Sequence, residues 1–299
     1  MLKKQALKRI LTSTLALGIM LLLCIFPKNE TNTDNIDILY VEKEKIPIYA
    51  MDENMYVARL NIDQRKDDQI RYIISLLTIG SKDAFDLPIG FSALLPKNTK
   101  LIDYSLKDGL LKLNFSKEFL NLSADTEEKA IESLIFSLCE IEGIDKIMIF
   151  IEEKLLEKLP NSNKVLPPVL NKGFGINKVY KIDDIKNTTK ATIYYMSKKN
   201  DNLYYIPITK ITNSKVEPVE VIVKELKPSS IHEPNLISYL NASYELKDYE
   251  ILENAITLSF NNYLITNIKD DENSEKVKYS LALSIRDTYN INDITININ

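Results

Sequence analysis

Chemistry in this chain would have to come from one histidine, two cysteines and an abundance of carboxylates. His232 lies in SSIHEPN, between Pro228 and Pro234, with Ser229, Ser230 and Glu233 beside it only in sequence. A lone imidazole provides neither a triad nor an HExxH zinc site, so it reads as an exposed loop residue. Acidic groups at Asp67-Asp68, Glu127-Glu128, Asp183-Asp184 and Asp270-Asp271-Glu272 raise glycan cleavage. That chemistry needs two carboxyls roughly 5–10 Å apart across a cleft, one with its pKa raised by burial. Asp68 and Asp271 instead stand near predicted helix starts, where negative charge suits the macrodipole. The Asp270–Glu272 run lacks EF-hand spacing for calcium. Gly173-Phe174-Gly175 is half a dinucleotide fingerprint without its strand and helix. Ser92, in GFSAL, lacks the second glycine of a nucleophile elbow. Cys139 has Glu140 and Glu142 nearby, the wrong electrostatics for a reactive thiolate. No catalytic, cofactor-binding or metal residue is assigned, and the chain reads as a non-enzyme without a cofactor.

Composition agrees. Hydrophobic residues make up 45% of 299 positions, enough for a core and for one large or two modest domains. Seven glycines are far below the ~7% of an average protein, which argues against folds built on Gly-rich phosphate loops. Two cysteines build neither a disulfide framework nor an iron–sulfur site.

Lys3, Lys4, Lys8 and Arg9 precede an uncharged run from Ile10 to Phe26. As a helix at ~1.5 Å per residue this run reaches about 26 Å, just enough to span a bilayer core. The basic flank stays cytoplasmic, so residues 1–26 read as a membrane anchor with the rest of the chain outside the cytoplasm. No A-x-A cleavage site follows, which favours an uncleaved anchor. Cys24 at the end of the run is a candidate lipidation site, although Leu23 replaces the small residue a lipobox wants. Beyond this segment 34 basic side chains face 42 acidic ones, a net of −8. Such an exterior disfavours nucleic acid as a partner. Residues 27–45 form a polar juxtamembrane spacer.

The elements that must carry any function come as two copies. Lys100–Ser116 aligns with Glu245–Asn261, sharing Asp103/Asp248, Tyr104/Tyr249, Leu113/Leu258 and Phe115/Phe260. Glu128–Glu152 aligns with Glu275–Asn299 at an offset of 147, pairing Ser133/Ser280, Ser137/Ser284, Ile147/Ile294 and Ile149/Ile296. Alternation predicts strands at Lys100–Leu106 and Leu111–Phe115, joined by an Asp108-Gly109 turn; Glu253-Asn254 fills that place in the second copy. Helical spacing at Ile131, Leu134, Ile135 and Leu138 predicts a helix opened by an Asp125/Glu128 capping box. Its counterpart presents Val277, Leu281, Ser284 and Ile285. Earlier helices carry Ile70, Ile73, Ile74, Leu77 and Val219, Ile222, Val223, Leu226. The fold expected is α+β, two tandem β-β-α-β-β-α-β units at 46–155 and 191–299, each a sheet covered by helices on one face, with 156–190 as linker. Tyr194, Tyr195, Tyr204 and Tyr205 fall on paired strands, and alternation directs one of each pair outward, toward a sugar ring or a protein partner.

Several motifs resemble the GerMN family, the sporulation and spore-germination domain that occurs in tandem. They are Leu76-Leu77-x-x-Gly80, Leu95-Pro96-Lys97-Asn98-Thr99-Lys100-Leu101, Asp108-Gly109-x-x-Lys112-Leu113-Asn114-Phe115-Ser116 and Ile144-x-x-Ile147-x-Ile149. Asn98 and Glu153 stand where the family usually has Gly, and Lys227-Pro228-Ser229 replaces Thr78-Ile79-Gly80 in the second copy. The resemblance implies a scaffolding role in sporulation or germination, with envelope or sporulation-complex proteins as partners and a homo-oligomer as one form of assembly. Peptidoglycan binding is the alternative.

Overall fold

The computed structural model describes residues 32–35, 45–65, 67–183, 186–200, 202–213, 215–261 and 271–298. The expected anchor, Cys24 and most of the spacer lie outside these. Among the described residues no helix is long and apolar enough to cross a membrane.

After a short strand β1 (Asn32–Asn35), the first unit runs β2 (Lys45–Asp52), β3 (Val57–Asp63), α1 (Gln69–Leu76), β4 (Phe91–Ser92), β5 (Leu101–Lys107), β6 (Leu110–Phe115), α2 (Glu127–Leu138), β7 (Lys146–Ile151) and β8 (Lys154–Leu155). A connecting segment contributes β9 (Val179–Lys181). The second unit runs β10 (Thr188–Lys199), β11 (Asn202–Asn213), α3 (Pro218–Glu225), β12 (Leu246–Ile251), β13 (Ala255–Phe260), α4 (Asp271–Tyr289) and β14 (Asp293–Ile298).

The helices form where the apolar stripes place them. Ile131, Leu134, Ile135 and Leu138 of α2 are fully buried, as are Leu281, Ser284 and Ile285 of α4. Each helix is the crossover between two parallel strands, the connection that parallel pairing requires. The register is the same in both units: Leu113 pairs with Ile149 and Phe115 with Ile151, as Leu258 pairs with Ile296 and Phe260 with Ile298.

The expectation of one helix-covered sheet per unit is corrected. Three sheets form, ordered β5-β6-β7-β8, β1-β14-β13-β12 and β10-β11-β3-β2-β4, with β9 alongside β11. The first hairpin of each unit thus leaves its own strands and joins its counterpart in a shared central sheet. Burial explains why: β10 is buried continuously from Ala191 to Ser197, so both its faces are covered. The same fact corrects the tyrosine expectation. Tyr194, Tyr195 and Tyr204 are buried and Tyr205 is half-buried, because alternation exposes a ring only where one face meets water.

The capping box is corrected too. Thr126 caps α2 without a side-chain bond. Glu127 accepts from the backbone N–H groups of Asn161 and Ser162, both at 2.8 Å, while Glu128 pairs with Lys164 and Lys178. These carboxylates bind the segments that follow β8 instead of closing the helix end. Asp68 does cap α1, accepting from the Arg71 N–H at 3.1 Å. Asp108-Gly109 turns with φ of +50° and +74°, whereas neither Glu253 nor Asn254 has a positive φ. Asn98 and Glu153, the two replacements of a family glycine, sit at φ +68° and +69°. That backbone is why glycine suits both places.

Candidate functional site

The seam between the two units gathers polar side chains from both copies. Tyr49 on β2 and Tyr194 on β10 each turn a backbone N–H and C=O away from the adjacent strand, and a helix answers both. Ser137 accepts from Tyr49 N at 2.9 Å, and Ser133 donates to Tyr49 O. In the other unit Ser284 accepts from Tyr194 N at 2.9 Å, and Ser280 donates to Tyr194 O. Spacing of four residues puts both hydroxyls of each pair on one helix face. Tyr194 lies opposite Pro207, which has no N–H to offer.

The two tyrosine rings meet at the centre, hydroxyl to hydroxyl at 2.8 Å. Tyr194 donates to Asp287 on α4, and the single Tyr49 proton is shared between the Tyr194 hydroxyl and Glu140, which lies 3.0 Å away just past the end of α2. Arg286 grips both carboxylates: its Nη2 and Nη1 lie 2.6 and 3.1 Å from the two Glu140 oxygens, and its Nε 2.8 Å from Asp287. Lys172, from the connecting segment, donates to Glu140 at 2.6 Å and Asp287 at 3.0 Å. Burial by itself would raise both carboxyl pKa values, but Arg286 and Lys172 outweigh it and hold them below the ordinary range. Burial, reinforced by those carboxylates, keeps both tyrosine hydroxyls protonated and donating.

A second stitch comes from Asn177. Its amide nitrogen donates to the carbonyls of Val57 on β3 and Pro207 on β11, both at 2.8 Å, and its oxygen accepts from Val57 N at 2.9 Å. The segment expected to be a linker is therefore wedged into the joint. The ensemble is a lock: ionised, hydrogen-bonded acids and bases that fix two bodies as one.

The residues singled out from sequence lie elsewhere. His232 is exposed in a loop, Ser92 is exposed on β4, and Lys172–Phe174 forms a single 3₁₀ turn. Cys139 is half-buried at the end of α2, and burial pushes its thiol up to about 12. Asp183 is exposed, while Asp184 and Asp270 lie outside the described residues. Among the described residues no group of three or more His, Cys, Asp or Glu is arranged to hold a metal. Sequence reasoning missed Glu140, Asp287, Arg286 and Lys172. A signal existed: Ser133, Ser137, Glu140 and Ser280, Ser284, Asp287 repeat one spacing at an offset of 147.

Residues 40–157, which contain the first unit, match the family described as Germane, sporulation and spore germination. Over 258 residues the chain is 26% identical to the spore germination protein GerM of Bacillus subtilis (strain 168), spanning 84% of this chain and 70% of that protein. The solved tandem GerMN domains of Bacillus subtilis GerM share the fold at a TM-score of 0.75 and 23% identity, over 85% of this chain and 90% of that one. The solved first GerMN domain of the same protein aligns with 43% of this chain and 98% of its own length, at 26% identity and a TM-score of 0.41.

Proposed function

We propose that this chain is a GerMN-type sporulation and spore-germination protein, as its likeness to GerM supports, and that it is a non-enzymatic scaffolding factor of the cell envelope. In this reading residues 1–26 anchor it in the membrane, and its paired units stand outside the cytoplasm. The observation that carries the proposal is the lock itself, which makes one body of two units. That body leaves β5 and β12 as edge strands at equivalent places on its outer sheets. Each is bulged at the same repeat position, between Leu101 and Asp103 or Leu246 and Asp248. Ile102 and Leu106 on β5 and Ile251 on β12 remain exposed. Open edges bearing apolar side chains are surfaces on which another protein adds a strand. Envelope or sporulation-complex proteins, or a second copy of this chain, are the occupants this reading favours.

Crosslinking from cysteine placed at Ser105 on β5, in sporulating cells, tests it. The expected outcome is a crosslink to an envelope protein or to a second copy, together with a sporulation or germination defect on deletion. A monodisperse monomer with no envelope partner, and a deletion strain that sporulates and germinates normally, would contradict it. The alternative reading, peptidoglycan binding, does not rest on rings turned outward from the strands, since Tyr194, Tyr195 and Tyr204 are buried and Tyr205 is half-buried.

A further inference from the structure

β3 and β11, one from each unit, pair at Arg59 and Tyr205 and then part. A cavity of about 600 Å³ opens between them, within the size range of small-molecule sites. Its lining includes Arg59 and Asn61 from the first unit, Lys199 and Tyr204 from the second, and Lys45 and Phe91. Among the described lining residues are three cations, Lys45, Arg59 and Lys199, and no Asp or Glu, while the Tyr204 hydroxyl donates to the buried Asp52 at 3.1 Å. Lys199 pairs with the exposed Glu53 outside the lining.

Arg59 is the decisive residue. It is 3% exposed, its Nε has no hydrogen-bond partner, and its Nη1 donates to the neutral amide of Asn61 at 3.2 Å. The nearest buried carboxylates are already taken, because Arg286 and Lys172 hold Glu140 and Asp287. Two anions thus face three cations at the seam, and Arg59, which makes no ion pair with either carboxylate, borders the cavity. The guanidinium lies over the Tyr279 ring, 5.5 Å from its centroid, and feels Glu140 through space, but its buried Nε still lacks an acceptor, which the oxygen of an anion entering the cavity would supply. Phe91 and Tyr204, which also line the cavity, form an edge-to-face pair at 5.0 Å, a surface for a ring or an apolar side chain.

We propose that this inter-unit cavity binds a small carboxylate-bearing ligand, its carboxylate drawn to the Arg59 end and its ring or apolar part laid against Phe91 and Tyr204. The carboxylate belongs either to an acidic sugar or to the free C-terminus of a short peptide, and the site follows from charge and shape alone, independent of any scaffolding role.

Calorimetric titration of the full chain in detergent separates the sources with two matched pairs of probes. Methyl glucuronide is compared with methyl glucoside, and acetyl-Ala-Phe with its C-terminal amide. The expected result is that at least one acidic probe binds about tenfold or more tightly than its neutral partner, as a charge-assisted contact implies; the pair that responds identifies the source. Arg59→Gln should abolish the preference, and Phe91→Ala should weaken binding several-fold. If neither acidic probe outbinds its neutral partner, or if folded Arg59→Gln keeps the preference, the proposal fails. Should Arg59→Gln not fold, unchanged binding by Phe91→Ala overturns it and weakened binding upholds it.

Discussion

At the seam the two units differ by one consequential residue. Both bring Ser, Ser and a carboxylate, at 133, 137 and 140 in one copy and at 280, 284 and 287 in the other. The residue before the carboxylate is Cys139 in the first and Arg286 in the second. Cys139 stays within its own unit, its sulfur 3.7 Å from the Asp145 carbonyl oxygen. Arg286 crosses the joint to Glu140. Identical copies would bring two buried carboxylates together with like charge. One arginine, helped by Lys172, turns that repulsion into the bond between the units. Repetition positions the groups, and its local failure makes them attract.

Arg286→Ala is the strongest way to break the comparison. Among the described residues it leaves Lys172 as the one remaining ion-pair partner of the buried Glu140 and Asp287, so unfolding in denaturant should show a loss of about 3–5 kcal/mol. Cys139→Ala, at the equivalent position, should cost less than about 1 kcal/mol. The pH profile carries the same signature. Both carboxyls have folded pKa values below their unfolded ones, which lie near about 4. Their contribution is therefore complete above that range and lost as pH falls through the folded values. In Arg286→Ala, burial regains weight and the folded values rise, so the acid-side fall in stability should shrink. An unchanged acid slope in the variant would count against the lock.

Ser137→Ala and Ser284→Ala sharpen the symmetric half of the comparison. Each strands one buried N–H, of Tyr49 or Tyr194, and should cost about 1–3 kcal/mol. Thermal unfolding of the two variants should give nearly matched losses.

Much of this was legible in the sequence, for reasons the residues make plain. Ile147, Ile149 and their counterparts Ile294 and Ile296 are local period-two patterns, and all four are buried. Neither the shared sheet nor the lock is local in that sense. Tyr49 and Tyr194 are 145 residues apart, and no window of sequence tells a strand buried on both faces from one buried on a single face. Lys172 was hidden by its setting, a glycine-marked segment that reads as a linker. The cavity lining is drawn from four separate stretches that share no motif.

The turns supply the smaller effects. Gly109→Ala places a Cβ at φ +74° and 2.3 Å from Asp145 Oδ2, a side chain able to move aside, so it should cost about 1–2 kcal/mol in denaturant unfolding. Glu153→Gly acts in the opposite direction. At φ +69° it relieves an L-residue of a left-handed backbone and should be neutral or stabilising by up to about 1 kcal/mol. A clear destabilisation would show that the Glu153 side chain matters more than its backbone.

The central claim is that the two units open together. Native-state hydrogen exchange at the amides of Tyr49 and Tyr194 tests it most directly, because each is held by a serine of its own unit. The account predicts opening free energies that agree within about 1 kcal/mol and fall together in Arg286→Ala. If the Tyr194 amide loses protection in that variant while the Tyr49 amide keeps it, the units are independent and the lock is not what joins them.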